Sequence, residues 1–106
     1  MRKITQQAVE CFNNSTPFKK GNTQVIVSDN KLLTLMTLHG NTIASLHREE
    51  SDHEQATLFI TNCGWFTTTT KERLNGLDGV QVHQAKGEWY LNGQAWDGRS
   101  IKVWEK

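Results

Sequence analysis

The chain has 106 residues, the usual size of one globular domain, and we expect a single domain over residues 1–106. Its 12 basic and 11 acidic side chains nearly cancel, so no overall electric field attracts DNA or an anionic membrane. No apolar run approaches the roughly 20 residues of a membrane span, and no signal-peptide pattern opens the chain. With only two cysteines, Cys11 and Cys63, the sequence predicts a cytoplasmic protein with reduced thiols.

The first half of the chain predicts one helix followed by strands. Apolar residues recur at helical spacing in residues 4–12, and the polar residues 13–15 would end that helix. A loop that carries Lys19 and Lys20 comes next. Strands are then predicted at 23–28, 31–39, 41–48 and 56–62, where β-branched and apolar residues cluster. Short turns at 29–30 and 40–41 make the neighbouring strands antiparallel.

The second half predicts a helix and a hairpin. Thr69 is followed three residues later by Glu72, a capping-box pattern, so a short helix is predicted to begin there and to end at Gly76 or Gly79. Strands are predicted at 80–84, 88–92 and 101–105, with turns at 86–87 and 92–93. The order of elements indicates an α+β fold, with an antiparallel sheet of about six strands and two short helices packed on one face.

The turn at residues 40–41 also predicts which side chains share a face of the sheet. A two-residue turn there would set Leu38 opposite Ile43 and would place His39 and His47 on opposite faces. One face would carry Leu32, Met36, Leu38 and Ile43, and the other would carry Leu33, Leu35, Ala44 and Leu46. Two short helices do not readily cover two apolar faces, so we expect a two-fold homodimer or a face covered by another molecule.

No pattern in the sequence predicts catalysis or metal binding. The spacings CxxC and HxxxH are absent, and so are the glycine-rich phosphate-binding motifs, so we expect no metal and no cofactor. Cys63 precedes a glycine at a strand end, but cysteine is among the most often buried residues, and we interpret Cys63 as strand packing. The acidic residues 49–54 indicate a solvated loop. We therefore expect no enzyme, with a small hydrolase based on Cys63 or the acidic loop as the weakest hypothesis.

The four tryptophans could fill the core or contact a partner. Two of them lie in GEWYLNGQAWDG, residues 87–98. An Asn-Gly pair favours a two-residue hairpin turn with positive φ at both positions, which would set Trp89 opposite Trp96. We expect both rings to lie mostly in the core. The residues expected to contact a partner are Tyr90, Arg99, Trp65 and Trp104.

Seven stretches, in this order, resemble a family of small tailed-bacteriophage proteins. They are ITQQAVECF, GNTQV, HGNTIA, ITNCGW, TTTTKERLN, GV and WYLNGQAWDG. The resemblance covers nearly the whole chain and is most specific in TKERLNGL followed by WYLNGQAWDG. The family is a domain of unknown function, so it implies no catalytic residue. It implies a context, because small early phage proteins commonly bind and redirect or block a host protein, or protect phage DNA from host defences.

Two functions from different classes follow. The first is a phage accessory protein that binds and modulates another protein, expected to be a host protein, which agrees with the surplus of apolar sheet surface and the tryptophans. The alternative is a single-stranded nucleic-acid-binding protein that stacks bases on aromatic rings beside basic residues. Those basic residues would be Lys19, Lys20, Lys86, Arg99 and Lys102. The balanced charge argues against the alternative, and a steep salt dependence of binding would support it.

Overall fold

The computed structural model describes residues 2–106. This part of the chain has two helices and nine strands, and the strands form two antiparallel sheets. The elements are α1 (Lys3–Asn13), β1 (Phe18–Lys20), β2 (Thr23–Val27), β3 (Leu33–Leu38), β4 (Asn41–Arg48), β5 (Ala56–Ile60), α2 (Thr68–Asn75), β6 (Val82–Ala85), β7 (Glu88–Leu91), β8 (Gln94–Ala95) and β9 (Ile101–Glu105). The large sheet has the order β1-β2-β3-β4-β5-β9, and the small sheet has the order β6-β7-β8. The predicted α+β class is confirmed.

Both helices pack on the same face of the large sheet. Arg73 of α2 donates hydrogen bonds to Thr5 of α1, at 2.7 Å, and to Thr23 of β2, at 3.0 Å. The helices also touch each other, because a Cβ on Gly76 would lie 2.8 Å from Cγ2 of Val9 and 2.9 Å from Cγ2 of Thr5. A residue without a side chain is therefore needed where α2 ends against α1. Of the two predicted ends, Gly76 and Gly79, the helix has the first, since Gly76 is the C-cap.

The predicted start of α2 at Thr69 is wrong. The helix is capped two residues earlier by Thr67, whose hydroxyl accepts the backbone N–H of Thr70 at 3.2 Å. In a capping box Glu72 would reach back to the cap, but its carboxylate accepts instead from the Thr5 hydroxyl of α1. The predicted capping box therefore fails because Glu72 binds Thr5 of another helix instead of its own helix cap.

The predicted antiparallel pairing of β3 with β4 is confirmed, but the predicted register is wrong. The chain turns at His39 and Gly40, with φ of 51° and 79°, so Leu38 pairs with Asn41. A β-bulge then shifts the register, and Met36 pairs with Ala44. Directly paired residues share a face, so Ala44 lies on the same face as Met36 instead of the opposite one. The same shift pairs Thr34 with Leu46 and Leu33 with His47.

The bulge concentrates the apolar side chains on the helix-covered face but does not empty the other. That second face, here named the open face, carries Ile26, Leu33, Leu35 and Phe59. Ile26 is 42% exposed, and the other three are half-buried. The sequence correctly predicted apolar residues on both faces of the sheet. It assigned too many of them to the open face, because Ala44 and Leu46 lie on the helix-covered face.

The two edges of the large sheet are short or irregular. Residues 18–20, predicted as loop, form the edge strand β1, which pairs with β2 and carries the exposed Lys19 and Lys20. The opposite edge strand, β9, has a register irregularity where it pairs with β5. Short lysine-bearing strands and bulges are common ways to prevent edge-to-edge association, so neither edge favours adding a further strand.

The small sheet follows the predicted hairpin closely. Asn92 and Gly93 form the turn, with φ of 49° and 86°, and Tyr90 pairs with Ala95. The backbone N–H of Trp96 donates to the carbonyl of Trp89 at 3.0 Å. Trp89 is 3% exposed and Trp96 is 8% exposed, so the expectation that both rings lie in the core is confirmed. The positive φ at both turn positions explains why asparagine and glycine suit this site.

Candidate functional site

Two adjacent aromatic residues stand out from the surface between β5 and α2. Trp65 is 54% exposed and Phe66 is 56% exposed, although both are large and apolar. We name this pair the aromatic ridge. Exposed apolar side chains that cluster in this way mark interaction surfaces more often than isolated ones do.

A hydrogen-bonded turn presents the aromatic ridge. The backbone N–H of Trp65 donates to the carbonyl of Asn62 at 2.8 Å, and the intervening Cys63 and Gly64 have φ of 53° and 81°. The Asn62 side chain is buried, and its Oδ1 accepts the Gly64 N–H at 2.8 Å. Asn62 is fixed in turn by Gly98, whose backbone packs so closely on the Asn62 amide that a Cβ there would overlap it. The contacts of Asn62 therefore fix the turn that presents the aromatic ridge.

Cys63 belongs to this turn, so the interpretation of Cys63 as strand packing is wrong. Strand β5 ends at Ile60, before the predicted end at residue 62, and Cys63 is exposed. Its thiol donates to the carbonyl of Thr42 at 2.8 Å. The positive φ and the hydrogen bond to β4 show that this residue shapes the turn beneath the aromatic ridge.

On one side of the aromatic ridge lies a shallow apolar groove. Phe66 contacts Trp89 edge to face, with ring centroids 5.2 Å apart, and Trp89 lies 6.2 Å from Trp96. Ile101 of β9 also lines this groove. Its charged lining residues are Glu88 and Asp97, both exposed at the surface. The buried tryptophans thus form the base on which Phe66 rests.

A second depression, named the cleft, lies beside Trp65. It has a volume of about 180 Å³ and lies between the β3–β4 hairpin and the start of α2. Leu38, Ile43 and Thr70 are buried and form its floor. Its remaining lining residues are His39, Asn41, Trp65, Thr67 and Thr69. The aromatic ridge therefore separates a groove on the Phe66 side from a cleft on the Trp65 side.

Two buried side-chain donors in the described part of the chain have no acceptor, and both support the aromatic ridge. They are Nδ2 of Asn62 in the turn and Nε1 of Trp89 beneath Phe66. A buried donor without an acceptor costs on the order of 1–3 kcal/mol.

The interior of the helix layer holds a polar junction centred on Arg73, which is 1% exposed. Its guanidinium donates to Thr5 and Thr23 and forms an ion pair with Glu72. Burial raises the pKa of the Glu72 carboxyl, but hydrogen bonds from Thr5 and the Arg2 backbone, together with the charge of Arg73, outweigh burial and leave that pKa below its usual value. With its donors satisfied within the protein, the junction acts as a structural element that ties α1 to α2 and β2.

The four residues expected to contact a partner do not converge on one surface. Trp65 forms half of the aromatic ridge. Arg99 pairs with Asp97 at 3.0 Å, and its carbonyl accepts Nε1 of Trp96 at 3.0 Å, so its loop flanks the groove. Tyr90 projects from the opposite face of the hairpin, where it stacks on His83 with centroids 5.0 Å apart.

Trp104 is half-buried, and its indole N–H donates to the carbonyl of Asp78 at 2.9 Å. The ring also packs on Gly79, where a Cβ would lie 2.8 Å from its Cδ1. Sequence reasoning missed Phe66. The signal was its position beside Trp65 in a loop just before a helix cap, where neither strand nor helix periodicity predicts burial.

Within residues 2–106, no three His, Cys, Asp or Glu side chains are grouped so that they could hold a metal ion. None of the helices in the same part of the chain has the length and apolar character needed to cross a membrane.

Comparison with known proteins places the chain in a family. The family model described as Kyanoviridae Gp96 protein matches residues 1–105. No curated protein and no solved structure matches the chain significantly. The family match agrees with the resemblance to tailed-phage proteins that the sequence motifs indicated. Because it spans nearly the whole sequence, the chain belongs to the Kyanoviridae Gp96 protein family, a bacteriophage family of unknown function.

Proposed function

We propose that this protein is a non-enzymatic phage accessory protein that binds and modulates another protein, expected to be a host protein, through the aromatic ridge. The observation that carries the proposal is the exposure of two adjacent aromatic side chains, Trp65 at 54% and Phe66 at 56%, on a hydrogen-bonded turn. Aromatic residues are enriched among the few interface residues that supply most of the binding energy.

The rigidity of the turn supports the same proposal. Ordering a loop on binding costs conformational entropy, and a contact surface that is already ordered avoids much of that cost. Here Asn62 accepts the N–H groups of Gly64 and Trp65 within the turn, and Thr67 caps α2 directly after Phe66. Depressions on either side of the aromatic ridge add shape that a partner can match.

The alternative, single-stranded nucleic-acid binding, has less support because the basic residues expected to serve it are scattered over the surface or paired with carboxylates. One further cation, Lys71, lies 5.7 Å from the ring centroid of Trp89, beneath Phe66. Lys19 and Lys20 lie on β1, at the opposite edge of the large sheet from β9. Arg99 is paired with Asp97, and Lys102 lies 3.9 Å from Glu105. Nucleic-acid binding of this type needs a basic track beside the stacking rings, and these residues do not form one.

The proposal is tested by capturing partners from host and infected cells with the tagged protein, with nuclease treatment of each sample. We expect a host protein to be recovered by the wild type after nuclease treatment and to be lost with the double variant Trp65→Ala/Phe66→Ala. The matched control is Ile26→Ala, which removes an exposed apolar side chain from the open face and is expected to retain the partner.

Two results would contradict the proposal. Recovery of nucleic acid alone, with an affinity that falls steeply as salt rises, would support the alternative. Loss of the captured protein in Tyr90→Ala with full retention in the double variant would place the contact on the opposite face of the hairpin. Circular dichroism of each variant checks that a loss of capture does not result from unfolding.

A further inference from the structure

The cleft beside Trp65 matches the size of a single side chain. Its volume is about 180 Å³. An apolar protein cavity of ~150 Å³ is enough to bind one benzene molecule. A six-membered ring therefore fits in the cleft, whereas a longer stretch of polypeptide does not.

The lining of the cleft indicates the chemistry of its occupant. Leu38, Ile43 and Trp65 supply apolar surface, and the polar side chains among the lining residues are those of three threonines, His39 and Asn41. No carboxylate, lysine or arginine is among the side chains that line it. A charged group entering the cleft would lose hydration without gaining an opposite charge, which is unfavourable. The lining therefore selects for an uncharged, apolar group.

We propose that the cleft receives one phenylalanine-sized apolar side chain of the partner protein, while Trp65 packs against the partner on the rim. This inference rests on the proposed function and adds the chemistry of the partner to it. The partner segment then presents an uncharged apolar residue at the point where it meets the aromatic ridge. Anchoring of one side chain in a desolvated pocket at the centre of an interface is a common source of binding energy.

The test uses the protein alone, with N-acetyl-phenylalaninamide as the probe and N-acetyl-lysinamide as the charged reference. Binding is followed by NMR through the methyl signals of Leu38 and Ile43. We expect saturable shifts with the phenylalanine probe and none with the lysine reference. Equal shifts with the two compounds, or no saturable shift with either, would overturn the inference.

Variants separate filling of the cleft from damage to the fold. Thr69→Phe places a ring in the lining of the cleft and is expected to abolish the saturable shifts. Thr68→Phe is the matched control, because it adds the same ring one residue earlier, outside the lining of the cleft, and it is expected to retain them. Retention of probe binding in Thr69→Phe, with the far-ultraviolet circular dichroism of the wild type, would also overturn the inference.

Partner capture distinguishes failure of this inference from failure of the proposed function. If Thr69→Phe captures the partner as well as the wild type does, the cleft is not used, although the aromatic ridge still binds. If the double variant of the aromatic ridge captures the partner fully, the proposed function fails, whatever the probe shows. If the same methyl signals shift with protein concentration in the absence of the probe, a second copy of the chain fills the cleft and the assignment to a partner protein is overturned.

Discussion

The hairpin tryptophans and the aromatic ridge contain the same kinds of side chain and touch each other, yet their environments are opposite. Trp89 and Trp96 are 3% and 8% exposed, whereas Trp65 and Phe66 are 54% and 56% exposed. Phe66 rests edge-on against Trp89, with ring centroids 5.2 Å apart. Burial in this protein therefore depends on the backbone that carries the ring rather than on the hydrophobicity of the ring.

The backbone explains the difference. The hairpin pairs Trp89 with Trp96, so both side chains leave the small sheet on the same face and are buried together. Trp65 and Phe66 follow a tight turn and precede a helix cap, where no strand or helix directs their side chains inward. We infer that the hairpin serves folding and that the aromatic ridge serves recognition, which the following substitutions test.

The largest contrast is expected between Trp89→Ala and Trp65→Ala. Removing a buried tryptophan loses apolar contacts and leaves a cavity, so Trp89→Ala should lower the free energy of unfolding by about 3–5 kcal/mol. Trp65→Ala should change it by less than about 1 kcal/mol, because more than half of that side chain is already in water. Urea denaturation followed by circular dichroism measures both. Similar losses of unfolding free energy in the two variants would contradict the distinction between a folding hairpin and an exposed aromatic ridge.

The polar junction extends the comparison to a buried residue that is not aromatic. Arg73→Met removes the charge that Glu72, Thr5 and Thr23 contact, and should lower the free energy of unfolding by about 3 kcal/mol or more. Lysine lacks the forked guanidinium, so Arg73→Lys should restore only part of the stability. Chemical denaturation provides the measurement. A fully stable Arg73→Met would mean that the junction contributes nothing to the attachment of α2.

Two turn glycines give a matched pair with intermediate effects. Gly93 turns the hairpin and Gly64 turns the chain before the aromatic ridge, with φ of 86° and 81°. A Cβ would meet nothing within 4 Å at either glycine, so substitution by alanine isolates the backbone cost. Each variant should lose about 1–2 kcal/mol of stability. Because only Gly64→Ala strains the turn that holds the aromatic ridge, only that variant should also weaken partner capture.

If Gly93→Ala and Gly64→Ala weaken capture equally, the loss reflects general destabilisation, and the special role of the turn at Gly64 is contradicted. Thermal denaturation of both variants provides the common reference for stability.

A smaller effect concerns pH. The folded state lowers the pKa of Glu72, so the ionised carboxylate stabilises the fold above the usual glutamate pKa, and this stabilisation is lost as the pH falls through the lowered value. Glu72→Gln should be less stable than the wild type at neutral pH, with the difference shrinking in acid. Denaturation between neutral pH and pH ~3 measures the trend. A constant difference across that range would contradict the lowered pKa of Glu72, to which the Thr5 hydrogen bond contributes more than the charge of Arg73.

The smallest expected change in stability comes from the open face. We propose that this face mediates self-association through its apolar side chains, which the helices leave uncovered. Ile26→Lys places a charge on the open face and should favour the monomer in sedimentation experiments while the fold stays intact. A wild-type protein that is monomeric at high micromolar concentration would contradict this prediction.

Short-range patterns determined much of the fold from the sequence alone. The helix α1, the turn at Asn92–Gly93 and the turn at Lys86–Gly87 were predicted correctly, because adjacent residues suffice to specify a helical stripe or a positive φ. The opposed tryptophans followed from the first of those turns, since a two-residue loop sets the register of the strands it joins.

Tertiary contacts decided the features on which the candidate site depends. The bulge between β3 and β4 brings Ala44 to the helix-covered face, and Thr5 draws Glu72 away from its own helix cap. The exposure of Cys63 and of the aromatic ridge depends on the end of β5 and on the packing of Gly98 against Asn62. These contacts join residues distant in sequence, so neighbouring residues alone do not specify them. Where a strand bulges and which partner a side chain finds are set by the packing of the whole chain.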